Sequence, residues 1–174
     1  MCSIRDYDHS DYDACLRIFA SNAPLFVDSN ERTAYARFLS ELPCSYLVAE
    51  LAGSVVGCGG FYFEPDECLA SLVWGMIAGD FHGQGIGTFL LQARLARITA
   101  DPSVCAVRAK TSQRTAPFFH RFGFRTERIF EHRFGPGLHQ HEMYLRMPSR
   151  SHVPSPNQTM QPTAGQRTAP LSDD

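Results

Sequence analysis

The sequence predicts a mixed α/β fold, a central mixed sheet flanked by helices, with elements in the order β-α-α-β-β-β-α-β-α-β-β. Three observations predict it. Residues 45–78 hold three β-rich apolar runs punctuated by Ala52-Gly53 and by Glu64-Pro65-Asp66, the pattern of an antiparallel meander. Before and after the meander, apolar residues recur at helical spacing, and the later helical stretches each lead into another strand-like run. Finally, 174 residues with 44% hydrophobic and 20% charged side chains and thirteen phenylalanines suffice for one compact domain with a buried core.

In chain order, "MCSIRDY" reads as a short first strand, and "HSDYDACLRIFASN" as a helix with Tyr12, Leu16 and Phe19 on one face. "DSNERTAYARFLSEL" is a second helix, capped by Ser29 or Asn30, with Ala34, Phe38 and Leu42 on its inner face. The meander follows. A third helix spans about residues 85–98, its end marked by Asp101-Pro102. "VCAVRAK" is a strand, and "QRTAPFFHRFGF" is a helix starting near Thr115 or Pro117 and stopped by Gly123. "TERIFEHRF" and "HEMYLRM" are the last strands, on either side of the "GPG" turn. Residues 148–174 contain no aromatic residue and no period, so they are expected to form a disordered tail beyond a domain of residues 1–147.

Charge and composition exclude several roles. A net charge of -2 offers no basic field for nucleic acid. No run of about 18 apolar residues could span a bilayer, so no membrane association is expected, and the polar, acidic start "MCSIRDYDHSDYD" is unlike a targeting peptide. A cytoplasmic protein is expected. The six cysteines, at 2, 15, 44, 58, 68 and 105, form no Cys-x-x-Cys pair and read as buried free thiols.

The chemistry concentrates in "WGMIAGDFHGQGIGTFLLQARLARI", where Gly83, Gly85 and Gly87 stand between a strand and a helix. Alternating glycines at a helix start can turn successive amide N–H groups toward one point, and the helix dipole adds attraction for an anion. A P-loop would need a lysine before Thr88, and none is there. A dinucleotide fold would need another glycine at position 88 and an acidic end to the next strand, which instead reads "RAKTS". Rather, "HGQGIG" at 82–87 resembles the Q/R-x-x-G-x-G/A pyrophosphate loop of the GNAT superfamily of acyl-CoA N-acyltransferases. "TSQRTAPFFHRFGF" resembles that family's segment after the fifth strand, and the element order matches its fold over roughly residues 1–147.

The resemblance implies an acetyl-CoA-dependent N-acetyltransferase acting by direct attack of an amine, with acetyl-CoA as co-substrate and no metal. The acceptor is a small-molecule amine or a protein amino group, and a homodimer is an open assembly. It implies that His82, Gly83, Gln84, Gly85, Ile86, Gly87 and Thr88 bind the coenzyme pyrophosphate. Met76, Ile77 and Ala78 would bind pantetheine through their backbone. The family's asparagine corresponds to Gln113, which has a pantetheine contact and a helix-capping or solvent role open to it.

Proton removal from the amine calls for a carboxylate or a water chain; Glu64, Asp66, Glu67 and Asp80 are the acids on hand, with Glu67 taken as the base. Two departures stand out. His82 replaces the usual Arg or Gln, so its charge depends on pH. Phe119 stands where relatives carry a tyrosine that protonates the departing thiolate, so that proton falls to solvent, the ammonium or Ser112.

Other residues have plainer readings beside functional ones. Tyr62 faces an acceptor pocket or the core, and Phe61 and Phe63 read as core. Phe26 and Glu31, between the first two helices, are substrate contacts or loop anchors. Arg94 and Arg97 read as a solvated helix face, whereas Arg114 is placed to reach a coenzyme phosphate. His132, His139 and His141 lack a carboxylate or cysteine to complete a zinc set and read as exposed polar residues. A non-catalytic acyl-CoA sensor and a purely structural α/β domain are the rival readings.

Overall fold

A computed structural model of the chain describes residues 1–65 and 67–147, so Asp66 and the expected tail at 148–174 lie outside the described residues. Seven strands form one sheet in the order β1-β2-β3-β4-β5-β7-β6. These are β1 (Cys2–Asp6), β2 (Ser45–Leu51), β3 (Ser54–Phe63), β4 (Leu69–Ile77), β5 (Ala106–Ser112), β6 (Arg125–Phe130) and β7 (Gln140–Arg146). All neighbours run antiparallel except β4 and β5. The expected element order and the central mixed sheet are both present.

Strand alternation sends successive side chains to opposite faces, and each face gathers its own core. Helices α1 (Tyr12–Asn22) and α2 (Arg32–Glu41) bury Phe19, Tyr35 and Leu39 against Tyr46, Val48 and Cys58. On the other face α3 (Ile86–Thr99) and α4 (Ala116–His120) pack Leu91, Ile98 and Ala116 against Phe61, Leu72, Val107 and Met143. Among the described residues no helix is long and apolar enough to cross a membrane.

Several local expectations are corrected. The buried stripe of α2 is Tyr35 and Leu39, with Ala34 exposed; its N-cap is Glu31, without a side-chain cap bond, rather than Ser29 or Asn30, and the Asp28 carboxylate caps the preceding 3-10 turn by accepting from Asn30 N–H. That 3-10 turn, at Ser29–Glu31, precedes the helix. Phe63 is 46% exposed at the end of β3, beyond the cover of the helices. Cys68 and Cys105 are joined in a disulfide and are exposed, while Cys15 and Cys58 are buried free thiols and Cys2 and Cys44 are partly buried. Parallel pairing of Leu69 with Ala106 brings the preceding two residues side by side, a long-range contact that cysteine spacing does not reveal.

Candidate active site

The cleft arises where the one parallel pairing stops. Strands β4 and β5 are paired only from Leu69 to Leu72 and from Ala106 to Ala109. Beyond these residues β4 stays with β3, β5 stays with β7, and the two splay apart. A bulge drives β4 away: Cys58 pairs with Met76 and Gly60 with Val73, so Trp74 and Gly75 face Gly59 alone. Trp74 takes φ 43°, a left-handed conformation strained for a large side chain.

A buried hydrogen-bond chain holds that bulge. Tyr46 Oη donates to the Trp74 carbonyl at 3.0 Å. Its single proton is thereby spent, so Tyr35 Oη, 2.8 Å away, donates to Tyr46. The Cys58 thiol, 3.3 Å from Tyr35, then donates in turn. Burial pushes the pKa of both tyrosines upward, and they stay neutral. The bulge is thus fixed by groups from α2, β2 and β3.

A cavity of about 640 Å³ occupies the splay and reaches from the α1–α2 connection to α4. Its upper rim is the glycine loop. Gly83 has φ 75° and Gly85 φ 81°, values that glycine adopts without steric cost. A Cβ added at either would meet no atom within 4 Å, so the backbone there lies open. Gly85 is the N-cap of α3 and supplies no side chain to cap the first-turn N–H groups. Those donors and the helix dipole point at the loop's open side.

The end of β4 is clamped. Ala78 N–H donates to Val56 O on β3 at 2.8 Å, so strand alternation turns the peptide groups of Ile77 away from β3. The Ile77 carbonyl accepts from buried Asn22 Nδ2 and from His82 Nε2, each at 2.8 Å. His82 also stacks edge-on against Phe26, their centroids 5.3 Å apart. Gln84 Nε2 donates to Asp80 O at 3.0 Å. Both side chains therefore stabilise the loop itself.

The structure brings Ser112 to the cavity, buried at the end of β5 with its Oγ 3.4 Å from Thr115 Oγ1. Phe119 also lines it, and so do Tyr62, Phe26, Glu31 and the exposed Arg114. Glu67 and Gln113 are placed elsewhere. Glu67 is exposed in the β3–β4 turn, at the start of β4, whereas the loop follows the strand's other end. Gln113 spends its amide on the β6–β7 connection, donating to Gly137 O at 2.7 Å and accepting from His139 N at 2.8 Å. In that connection His132 and His139 accept backbone N–H groups, of Gly137 and His132 respectively. Asp80 is exposed in the short turn before the loop.

Charge along the cavity wall is lopsided. Arg94, Arg108, Lys110, Arg114 and Arg121 line it, and among the described residues Glu31 is its one carboxylate. Burial, and then the charge of Asp28, raise the Glu31 pKa. Glu64, just outside, is ion-paired with Arg108 and accepts from Ser71 Oγ at 2.7 Å. Burial alone would raise the Glu64 pKa, but Ser71 and Arg108 outweigh it and lower it, making Glu64 a weak base. Arg97 does sit at the surface, paired with Asp6. Arg94, read from the sequence as solvated, is only 4% exposed.

Residues 43–126 match the family model described as the acetyltransferase (GNAT) domain. The chain carries a GNAT acetyltransferase domain. That match covers the meander, the glycine loop, α3, β5 and α4, the elements that frame the cleft. Solved structures agree in fold. A Salmonella typhimurium protein solved with its cofactor acetyl-CoA superposes with a TM-score of 0.65 at 20% identity, covering 91% of this chain and 99% of that one. The ribosomal-protein-S18-alanine N-acetyltransferase of Escherichia coli gives 0.71 at 16% identity, over 87% and 98%. The ribosomal-protein-alanine N-acetyltransferase of Brucella melitensis gives 0.64 at 24%, over 83% and 99%. No curated protein matches the chain. By that match the segment that frames the cleft is an acetyltransferase domain.

Sequence reasoning missed Arg94, Asn22 and the Glu64–Arg108 pair. Glycines and prolines announce their conformations locally, but these side chains acquire a role only when distant strands and helices meet. The lone signal for Arg94 was "QARLARI", in which Arg94 lies three residues after buried Leu91 and four after buried Leu90, on the inner face.

Proposed function

We propose that the domain, spanning residues 1–147, transfers the acetyl group of acetyl-CoA to a primary amine by direct attack within the cleft. The observation that carries this reading is the open glycine loop at the head of a splayed, cation-rich cavity. The residues fit the coenzyme. At Gly83 and Gly85 no side chain covers the backbone and a Cβ would meet no atom, so the loop is open to a ligand there, and the exposed Arg114 and Arg121 line the same cavity to meet phosphate. The Ile77 N–H, turned from β3, is available to an amide of the pantetheine arm, with Met76 and Ala78 fixing the strand on either side.

The coenzyme supplies an acetyl thioester already activated toward amines. This chain's residues handle position and protons. Glu31 takes the proton of the incoming ammonium: it lines the cavity from the α1–α2 side, and its raised pKa makes it a stronger base than an ordinary carboxylate. The carbon–nitrogen bond forms as the carbon–sulfur bond breaks; the nitrogen gives up its extra proton as the sulfur takes one up, and Ser112 Oγ, with Thr115 behind it, relays that proton, passing its own to the sulfur while receiving another through cleft water. Phe119 excludes water at that end without supplying a proton. His82 and Gln84 serve by keeping the loop in shape.

Calorimetric titration with acetyl-CoA, followed by amine-dependent thiol release, tests the proposal. Saturable binding and release that requires an amine are expected. Binding without release would make the protein an acyl-CoA sensor; no binding by the folded chain would reduce the glycines to turn residues.

A further inference from the structure

Arg94 is a buried cation whose charge nothing nearby answers. Its Nε donates only weakly to the Leu90 carbonyl at 3.4 Å, one turn back along α3. Among the described residues neither Nη atom has a hydrogen-bond partner and no carboxylate forms an ion pair with it, although the residue is 96% buried. Burial lowers the guanidinium pKa to about 10, leaving it charged at neutral pH. A desolvated cation without a counter-charge is costly to maintain, and such groups persist where a ligand completes them.

The fold has made room for this group. A Cβ on Gly59 would lie 3.0 Å from Arg94 Nη1, and one on Gly75 only 2.9 Å from it. Both glycines belong to the bulge that opens the cleft, so the guanidinium lies against bare backbone at the point where β4 leaves β5. Arg94 also lines the cavity, so its free face looks into it. Among the described residues the one cavity carboxylate, Glu31, comes from the α1–α2 connection, and Glu64 is committed to Arg108.

Depth along the cleft decides what the guanidinium can meet. Arg94 is eight residues beyond Ile86, about 12 Å down the helix at 1.5 Å per residue. The glycine loop read as the pyrophosphate site is at the helix start, so Arg94 stands about two turns further along the helix, away from the phosphates and toward the reacting end of a coenzyme held there. A planar five-donor fork at that depth matches a carboxylate in two parallel hydrogen bonds.

We propose that Arg94 is an anion anchor in the floor of the cleft, where it binds a carboxylate carried by one of the reactants. That carboxylate belongs either to the amine acceptor, as in an amino acid, or to the far end of a dicarboxylic acyl chain on coenzyme A. The inference rests on the acetyltransferase reading and adds to it the chemical class of the ligand.

The test uses the full chain and two arms. In the first, kcat/KM with acetyl-CoA is measured for amino acids and for the corresponding decarboxylated amines. In the second, calorimetry compares succinyl-CoA with acetyl-CoA. Wild type is expected to favour the carboxylate-bearing partner in one arm by roughly 10- to 100-fold, the factor of one charged hydrogen-bonded contact. Arg94→Met should abolish that ratio, and Arg94→Lys should retain part of it. Each readout is a ratio within one preparation, so a misfolded fraction of a variant cancels.

Preference in the first arm assigns the carboxylate to the acceptor, and in the second to the acyl chain. No preference in either arm by a wild type that binds acetyl-CoA overturns the anchor alone, and so does a preference that survives Arg94→Met. Failure of the folded wild type to bind either thioester overturns the coenzyme reading and the anchor with it.

Discussion

The two halves of the cleft are built from different materials. On the side we assign to the coenzyme the working parts are backbone: the open chain at Gly83 and Gly85, the start of α3, and the clamped end of β4. On the side we assign to the acceptor they are side chains drawn from separate elements: Glu31 ahead of α2, Tyr62 on β3, Ser71 on β4 and Arg108 on β5. A backbone site depends on conformations that few residues can adopt, whereas a side-chain site can be altered one group at a time. Damage on the first side should therefore abolish binding, and damage on the second should change rate and selectivity while binding persists.

Gly85→Glu should give the largest effect. The left-handed φ of 81° would cost the fold about 1–2 kcal/mol with a side chain present, a loss that a domain stable by about 5–15 kcal/mol survives. The added carboxylate would stand where an anion is to bind, so acetyl-CoA binding should fall below calorimetric detection. Gly85→Asn, which tolerates that φ and adds no charge, should weaken binding less. Unchanged affinity in a folded Gly85→Glu protein would erase the contrast between the two halves.

Glu31→Gln comes next and should leave coenzyme affinity intact. Its turnover should drop by about 100-fold, the lower range for loss of a general base. The pH dependence carries the sign. Glu31 accepts a proton only when ionised, and burial followed by Asp28 holds its pKa above the ordinary carboxylate range. Activity should thus rise with pH through that raised value, and this limb should vanish in Glu31→Gln. A limb that persists in the variant would hand the role of base to another group.

Glu64→Gln probes the acceptor wall through stability. Removing the partner of largely buried Arg108 should cost about 1–3 kcal/mol of unfolding free energy. Ser71 and Arg108 hold the Glu64 pKa below its ordinary value against the opposing effect of burial. The contribution is therefore complete above the unfolded-state pKa and is lost as pH falls through the folded one. Urea titrations of both proteins should converge in acid; a gap that does not narrow there would mean the ion pair is not its source.

The same division explains what could be read in advance. Three glycines between a strand and a helix carry a conformational requirement in the sequence itself, and the meander announced its turns through Ala52-Gly53 and Glu64-Pro65. The fold and the open glycine loop at the start of α3 were legible on that account. Glu67 and Gln113 drew notice through their chain neighbours, yet the turn of β3 into β4 takes Glu67 to the wrong end of the strand, and the β6–β7 connection occupies Gln113. Arg94 has helical spacing to buried Leu90 and Leu91, but its role depends on glycines 35 and 19 residues earlier on β3 and β4. No local pattern encodes that meeting.

Phe119→Tyr should have the smallest effect, and it tests the seam between the two halves. The ring lines the cavity and packs edge-on against Phe118 and Phe124, with centroids 5.2 Å away in each case. A hydroxyl there would restore a second proton source for the sulfur. A thiol of pKa about 8.5 departs tolerably well as thiolate, so turnover should change by less than roughly threefold, under 1 kcal/mol of barrier. The informative measurement is Ser112→Ala in both backgrounds, which isolates the coupling between the two donors. With Phe119 present, Ser112 is the cavity hydroxyl we assign to the sulfur, and its loss should slow release of the thiol. With tyrosine in place the loss should be largely masked. Equal costs in the two backgrounds would show that Ser112 plays no part in moving that proton and that solvent completes the reaction at the coenzyme end of the cleft.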